Sequence, residues 1–335
     1  ASGSASAALA GPISGSPTAA SRGGQSAAVV ATVDCLLGDG STAYPEALQY
    51  LWAADVARSG RATSQHAGGV ATTGAAILAV AAATELLYWR QRGAEDGHLP
   101  FAARALLVVE LAAHGYFAPA LAMGTTFVLR HGAGVELACA AVGIAALLLV
   151  GPLRAWQVLR GFAARGVELS AAAPDPVSGT LKRAWHAAAP GAGAFLARFG
   201  SYFDGCRADT AVVRSDYFVD LAASIVLGVA AGWRPSAGSC ASVLVPSLLA
   251  SAARFAYVVA VRPMAKRLDL GAALIAASLQ LCLAVAALGT AVWVASPTPR
   301  QLLGWVVIVQ SGFFAGQLVV ACAWLCWLRQ RRQNG

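Results

Sequence analysis

Seven long apolar stretches, separated by shorter polar segments, constrain this chain more than any other feature. The hydrocarbon core of a bilayer is about 30 Å thick, and a helix needs about 20 apolar residues to cross it. The sequence therefore predicts an all-α polytopic membrane protein, a bundle of about seven transmembrane helices with short peripheral amphipathic helices. The stretches run over roughly 69–89, 101–123, 134–158, 216–235, 240–262, 268–295 and 301–328.

The composition agrees with lipid as the solvent of these helices. Hydrophobic residues make up 58% of the chain and charged residues only 12%, whereas a soluble domain carries about 25% charged residues. Between Leu268 and Ala295 only Asp269 is charged. A large soluble core is excluded, and we expect an integral membrane protein, with the plasma membrane as its location.

The basic residues alternate in density from one connection to the next. Seven spans place the two termini on opposite sides, and Arg and Lys concentrate in the first, third and fifth connections and in the C-terminal tail. The positive-inside rule then predicts the N-terminus outside and the C-terminus in the cytoplasm. The net charge of +8 indicates a bilayer with an anionic inner leaflet as partner. We expect no nucleic acid partner, because the charge lies in connections and not on one soluble face.

These patterns divide the chain into six parts. A Ser/Ala/Gly-rich beginning is typical of a flexible linker, and the apolar segment after it is too short to span a bilayer. The predicted parts are a flexible linker (1–28), an extracellular peripheral segment (29–68), transmembrane helices 1–3 (69–158), a basic cytoplasmic loop with amphipathic helices (159–215), transmembrane helices 4–7 (216–328) and a basic cytoplasmic tail (329–335).

The loop 159–215 is the largest soluble piece, and it carries two short apolar faces. The first contains Leu181, Trp185 and Ala188, and the second contains Phe195 and Phe199. Proline and glycine at positions 190–191 break the pattern between them. We predict two amphipathic helices on the cytoplasmic membrane face. A cytoplasmic partner that docks at residues 176–205 is the functional alternative.

Ionisable residues inside predicted spans are costly in hydrocarbon, so each one needs a reason. Glu110 in the second span and Arg254 in the fifth lie at similar depths from the predicted cytoplasmic side. We predict an intramembrane Glu110–Arg254 charge pair. His114 follows Glu110 by four residues and shares its helix face, which makes it a possible proton relay. Glu85 and Asp220 lie near span ends, and we expect them to be ordinary boundary residues.

Cysteine and glycine patterns suggest packing more than chemistry. Cys35 and Cys240 fall on the predicted outer side, where oxidation is permitted, so a Cys35–Cys240 disulfide is one hypothesis. Cys322 and Cys326 have no His or acid nearby, so we expect no metal and no cofactor. Glycines spaced four apart allow close helix approach, and we expect them to pack within one bundle: Gly228-x-x-x-Gly232 and Gly312-x-x-x-Gly316.

Motifs of covalent catalysis are missing from the sequence. It contains no Gly-x-Ser-x-Gly elbow, no Walker Gly-Lys-Ser/Thr and no His-Glu-x-x-His. We therefore predict that the protein is not an enzyme. Seven spans with the N-terminus outside match the layout of G-protein-coupled receptors, but the third and seventh spans lack that family's motifs.

One stretch resembles a known family. Residues 216–267 run from DYFVDLAASIVLG, through Cys240 at the start of the next span, to YVVAVRPMAKR. This stretch resembles the C-terminal multispan region of large protist surface proteins, of the type found in the dispersed gene family of trypanosomes. The resemblance implies a membrane-anchoring part of a much larger extracellular protein, and the absence of a first Met agrees with such a fragment. It implies no functional residues.

Three functions fit the sequence. The first is a membrane anchor or scaffold, the embedded part of a larger surface protein. The alternative is a small-solute or proton-coupled transporter or channel that uses Glu110, His114 and Arg254. The second alternative is a seven-span receptor-like sensor.

Overall fold

A computed structural model of the protein describes residues 63–90, 101–164, 210–233, 241–265 and 267–292, with shorter pieces at 167–169, 173–174, 181–182, 185–187, 192–203 and 206, and single positions between 302 and 316. A π-helical turn at Leu149–Leu153 joins two helices into one rod. The described helices are α1 (Thr63–Arg90), α2 (Phe101–His131), α3 (Val135–Leu148), α4 (Arg154–Ala164), α5 (Ala192–Phe199), α6 (Ala211–Arg214), α7 (Asp216–Trp233), α8 (Ala241–Val261) and α9 (Arg267–Val292).

Five of these helical segments are long and apolar enough to cross a membrane, which confirms the predicted helical architecture and agrees with a membrane-embedded protein. They are His66–Trp89, Val135–Phe162, Asp216–Trp233, Ser242–Val261 and Asp269–Thr290. The count of seven is not confirmed. The predicted second span corresponds to α2, which is 31 residues long and packs between members of the five. Most of the predicted seventh span lies outside the described residues, although its described positions between 302 and 316 are helical.

Large apolar side chains on the outside of the bundle fit a lipid solvent. Leu148 is 56% exposed, Leu249 is 63% exposed and Val285 is 53% exposed, all within the apolar segments. Soluble proteins rarely expose wide contiguous apolar surface. Lipid tails are as apolar as these side chains, so the same surface carries no penalty in a bilayer.

The helices alternate in direction, as successive membrane crossings must. His66 of α1 contacts Phe127 near the end of α2, while Glu85 and Glu110 share a partner near the opposite end, so α1 and α2 are antiparallel. Tyr217 at the start of α7 donates a hydrogen bond to the carbonyl of Leu111, and contacts further along rise in the same order on both helices. α2 and α7 are therefore parallel.

Glycine makes the α2–α7 contact close. A Cβ added at Gly228 would overlap the carbonyl oxygen of Pro119, and one added at Gly232 would overlap that of Met123. This confirms that the first glycine pair packs within the bundle. Among the described residues, a Cβ added at Gly312 or Gly316 meets no other atom within 4 Å, so this part of the structure shows no such packing for the second pair.

The described residues of the predicted loop 159–215 lie at one end of the bundle, and we call that end the loop end. The beginnings of α2, α7 and α9 and the ends of α1, α4 and α8 lie there too. Its described part contains short strands: β1 (Val167–Leu169) pairs antiparallel with β4 (Trp185–Ala187), and β2 (Ala173–Pro174) with β3 (Leu181–Lys182). The helix predicted around Leu181 and Trp185 is therefore wrong at those residues, because cross-strand pairing with distant residues replaced the local helical pattern. The second predicted amphipathic helix is present as α5.

Aromatic side chains from this segment close the loop end. Phe195 of α5 lies against Phe162 of α4, with ring centroids 6.4 Å apart, and Phe203 lies 5.1 Å from Phe162. Tyr202 stacks on Phe218 of α7 at 5.5 Å. Phe162, Phe195, Tyr202 and Phe203 are all buried. We call these four residues, with Phe218, the aromatic cap.

Candidate functional site

The buried ion pairs of the described residues lie at the loop end, directly beneath the aromatic cap. They form two groups, each centred on one arginine. Arg154 and Arg254 are 1% and 5% exposed. A guanidinium presents five N–H donors in a planar fork, so one arginine can bind two carboxylates at once.

Arg154 connects α1 and α2. Its Nη2 lies 2.8 Å from Glu110 Oε1, and its Nη1 contacts Glu85 and lies 2.9 Å from Gln157 Oε1. Arg198 of α5 also contacts Glu85. The two arginines and two glutamates balance in formal charge, which reduces the cost of placing them in a low-dielectric site.

A π-helical turn, Leu149–Leu153, directly precedes Arg154. Pro152 lies within the turn and has no N–H to donate, and a wider π turn inserts one residue into the helical register. Leu153 is 42% exposed, whereas the next residue, Arg154, is buried. The turn therefore shifts the helical register just before Arg154, whose side chain lies inside the bundle in contact with Glu85 and Glu110.

Arg254 connects α7 and α8. Its Nη1 lies 2.8 Å from Asp216 Oδ1 and its Nε lies 3.0 Å from Asp220 Oδ1. The two aspartates are one helical turn apart on α7 and both are buried. The Tyr257 ring lies 5.4 Å from the guanidinium carbon, and its hydroxyl donates to the carbonyl of Val212 at 2.6 Å. This group has two carboxylates for one guanidinium and fixes the entry into α7.

The predicted Glu110–Arg254 pair is wrong. Glu110 pairs with Arg154, and Arg254 pairs with Asp216 and Asp220. Similar depth was the basis of the prediction, but depth does not give the direction in which a side chain points around its helix. Asp220 is also not the boundary residue that was expected, because it is 2% exposed and paired.

His114 lies fully inside the bundle, one turn along α2 from Glu110. Its exposure is 0%. Neither ring nitrogen has a hydrogen-bond partner among the residues that the structure describes. The Arg154 guanidinium is within electrostatic reach of the ring. A role of His114 as a proton relay stays a prediction.

The remaining predicted sites are described only in part. Cys35 and Cys240 lie outside the described residues, so their disulfide stays a prediction. In the proposed docking segment 176–205, the described residues 192–203 turn several side chains into the aromatic cap. Within the described part of the chain, no group of three or more His, Cys, Asp or Glu side chains has a metal-binding arrangement.

One signal in the sequence could have found the Arg254 group. Asp220 and Arg254 lie equally far from the short connection between α7 and α8, and antiparallel neighbours bring such positions to the same level. The sequence indicates the Arg154 group less clearly. The π turn before Arg154 shifts the helical register, so spacing along the chain does not predict which helix this residue faces. Arg154 also lies near the end of the predicted third span, two residues after a proline.

Comparison with protein-family models, with curated proteins and with solved structures finds no match to this chain.

Proposed function

We propose that the protein is an integral membrane anchor or scaffold, the embedded part of a larger surface protein. The observation that carries the proposal is the enclosure of its intramembrane charges. Glu110 and His114 have no exposed surface, and the described arginines Arg154 and Arg254 are paired to carboxylates inside the bundle. Such charges hold helices in register without offering a path to a solute.

The proposed orientation places the loop end in the cytoplasm. The prediction rests on the concentration of Arg and Lys in the connections and tail that share this side. Alternation of helix direction supports it, since it brings these connections together at one end. The proposed location is the plasma membrane, with the anionic inner leaflet facing the basic end.

The resemblance of residues 216–267 to large protist surface proteins supports an anchoring role. In that setting the bundle would fix an extracellular part on its outer side. The packing agrees with such a passive role, because α2 and α7 meet through glycine with no gap for a side chain at either contact.

Transport and sensing remain as rival proposals. Transport would need an aqueous route that continues through the bundle past Glu110, and beyond His114 the described part of α2 presents buried apolar residues such as Leu121 and Met123. Sensing would need a free surface on residues 176–205, and part of that segment is packed into the bundle. These two features are our reason to prefer an anchor.

Reconstitution into proteoliposomes separates the anchor from a transporter. The full chain is incorporated into vesicles that contain a pH-sensitive dye, and a pH gradient is imposed across the membrane. We expect proton and small-solute permeability equal to that of empty vesicles. Permeability that rises with the protein content and falls in the Glu110→Gln variant would overturn the anchor in favour of a transporter.

Surface display tests anchoring directly. A soluble reporter is fused to the N-terminus and expressed in cells. We expect the reporter to react with an impermeant reagent on intact cells and to stay with the membrane after washing at alkaline pH. Release of the reporter by that wash would contradict the proposal.

A further inference from the structure

Arg154 and four buried side chains near it carry polar atoms that lack a hydrogen-bond partner among the described residues. Each side chain belongs to a residue that is at most 5% exposed. Such atoms are rare in folded proteins, and bound water is one of their usual partners. The atoms are Glu110 Oε2, both ring nitrogens of His114, Arg154 Nε, Arg198 Nη1 and Tyr202 Oη.

The five side chains lie together. Arg154 contacts Glu110 directly, and Arg154 and Arg198 meet on the same oxygen of Glu85. Tyr202 is close enough to feel the charges of Glu110, Arg154 and Arg198. His114 is one helical turn from Glu110. The unpaired atoms therefore come from α2, α4 and α5 and the 3₁₀ turn Gly200–Tyr202, which all meet beneath the aromatic cap.

Nearby side chains do not supply the missing partners. The Thr84 hydroxyl lies beside Glu110, but its hydrogen is donated to the carbonyl of Val80 at 2.9 Å. Burial, together with nearby Glu110, raises the pKa of Tyr202, so its phenol keeps the proton and remains a donor.

The chemistry of the group selects its ligand. The arginines and Tyr202 offer donors, Glu110 offers an acceptor, and His114 can do either. An anion would meet the carboxylate of Glu110, and a cation would meet two guanidinium groups. Water both donates and accepts, and a buried water typically forms about three hydrogen bonds to groups of this kind.

We propose that Glu110, His114, Arg154, Arg198 and Tyr202 enclose an internal water site that is reached from the side of Glu85. The Glu85 side chain is 47% exposed and contacts both arginines, so it marks the approach. Beyond His114, α2 continues with buried apolar residues such as Leu121 and Met123. The site therefore admits water from the loop end only, and it holds whether or not the bundle is an anchor.

Hydroxyl-radical labelling by pulsed X-rays tests the site, because radicals form from the water itself. The full chain in detergent or nanodiscs is exposed, and labelling rates from mass spectrometry are divided by each residue type's intrinsic reactivity. We expect His114 and Tyr202 to react about tenfold faster than equally buried Met123 and Leu121, since only the former contact bound water. Equal rates at all four positions would overturn the proposal.

A matched pair of variants adds a second readout. Tyr202→Phe removes a hydroxyl that lacks a protein partner, whereas Tyr217→Phe removes one that donates to the carbonyl of Leu111 at 3.3 Å. We expect Tyr202→Phe to lower the labelling of His114 several-fold and Tyr217→Phe to leave it unchanged. A similar effect of both variants would contradict the site. If either variant failed to fold, the wild-type rates would still decide the question.

Discussion

Two arginines act as the connecting residues of the bundle. Arg154 binds carboxylates from α1 and α2, and Arg254 binds two carboxylates of α7. A buried pair of this kind gives little net stability compared with apolar residues, but removal of one partner leaves a buried charge uncompensated. Such residues therefore fix which helices meet more than they strengthen the bundle.

Substitution of Arg254 should destabilise the bundle strongly. Arg254→Gln removes the guanidinium that pairs with the buried Asp216 and Asp220, and we expect a loss of about 3–5 kcal/mol in the free energy of unfolding. Arg254→Lys should recover only part of it, because a point charge cannot replace a two-sided fork. Thermal unfolding in detergent, followed by size-exclusion chromatography, measures the loss.

Arg262→Gln is the control for this prediction. Arg262 is an exposed arginine just beyond the same helix, and surface substitutions usually change stability by less than about 0.5 kcal/mol. Equal effects at positions 254 and 262 would show that the ion pairs do not hold α7 to α8.

The two carboxylate partners of Arg154 should differ in their contribution. Glu110 has no exposed surface, while the Glu85 side chain is 47% exposed and solvated. Glu110→Gln should therefore lower the unfolding temperature clearly more than Glu85→Gln, because water screens the second pair. The two variants make the same chemical change, so each is the control of the other. A larger effect at Glu85 would contradict the finding that Glu110 is the more buried of the two carboxylates.

At the scale of elements, the α2–α7 contact determines the centre of the fold. The two helices run in parallel, with Gly228 and Gly232 against backbone carbonyls of α2. The second feature is the rod from α3 to α4, whose π turn shifts the helical register just before Arg154. The predicted bounds of the fourth, fifth and sixth spans agree with α7, α8 and α9 to within about three residues, because they depend on local apolar runs, whereas α1, α2 and the rod from α3 to α4 extend beyond their predicted spans. The sequence did not predict the π turn, because it depends on what Arg154 meets in other helices.

Alanine at the two glycine pairs should have opposite consequences. Gly228→Ala adds a methyl group against the carbonyl of Pro119, and we expect a cost of about 1–3 kcal/mol for the overlap. Gly312→Ala meets no atom of the described residues within 4 Å and should be neutral or stabilising by up to about 1 kcal/mol, because alanine favours a helix over glycine. Unfolding in detergent compares the two. The gain in helix propensity is common to both, so their difference isolates the overlap.

At the scale of the whole molecule, charge and aromatic residues concentrate at one end. The loop end contains both arginine groups and the aromatic cap, and α1, α2, α3 and α7 extend from it as mostly apolar rods. The loop end is therefore the polar, closely packed end of the described bundle, and the rest of these helices is mostly apolar. The Arg- and Lys-rich connections are predicted on the same side, so the positive-inside rule predicts a single orientation with the loop end in the cytoplasm.

Cysteine labelling from outside tests that orientation. Ala133→Cys and Arg262→Cys place exposed thiols at opposite ends of the bundle. We expect an impermeant thiol reagent to modify position 133 on intact cells and position 262 only after permeabilisation. Mass spectrometry of the two peptides distinguishes these thiols from native cysteines. The reverse pattern would invert the topology and leave the fold unchanged.

The sequence by itself determined the long apolar helices of this protein, but not its short strands or its π turn. Long apolar runs dictate helices in lipid wherever they occur, because the backbone must satisfy its hydrogen bonds within the helix. The tertiary structure alone decided which charges meet, since Glu110 and Arg254 differ in the direction they face and not in depth. The tertiary structure also determined the strands around Leu181. Their hydrogen-bond partners lie on another strand, so the local periodicity of the sequence does not predict them.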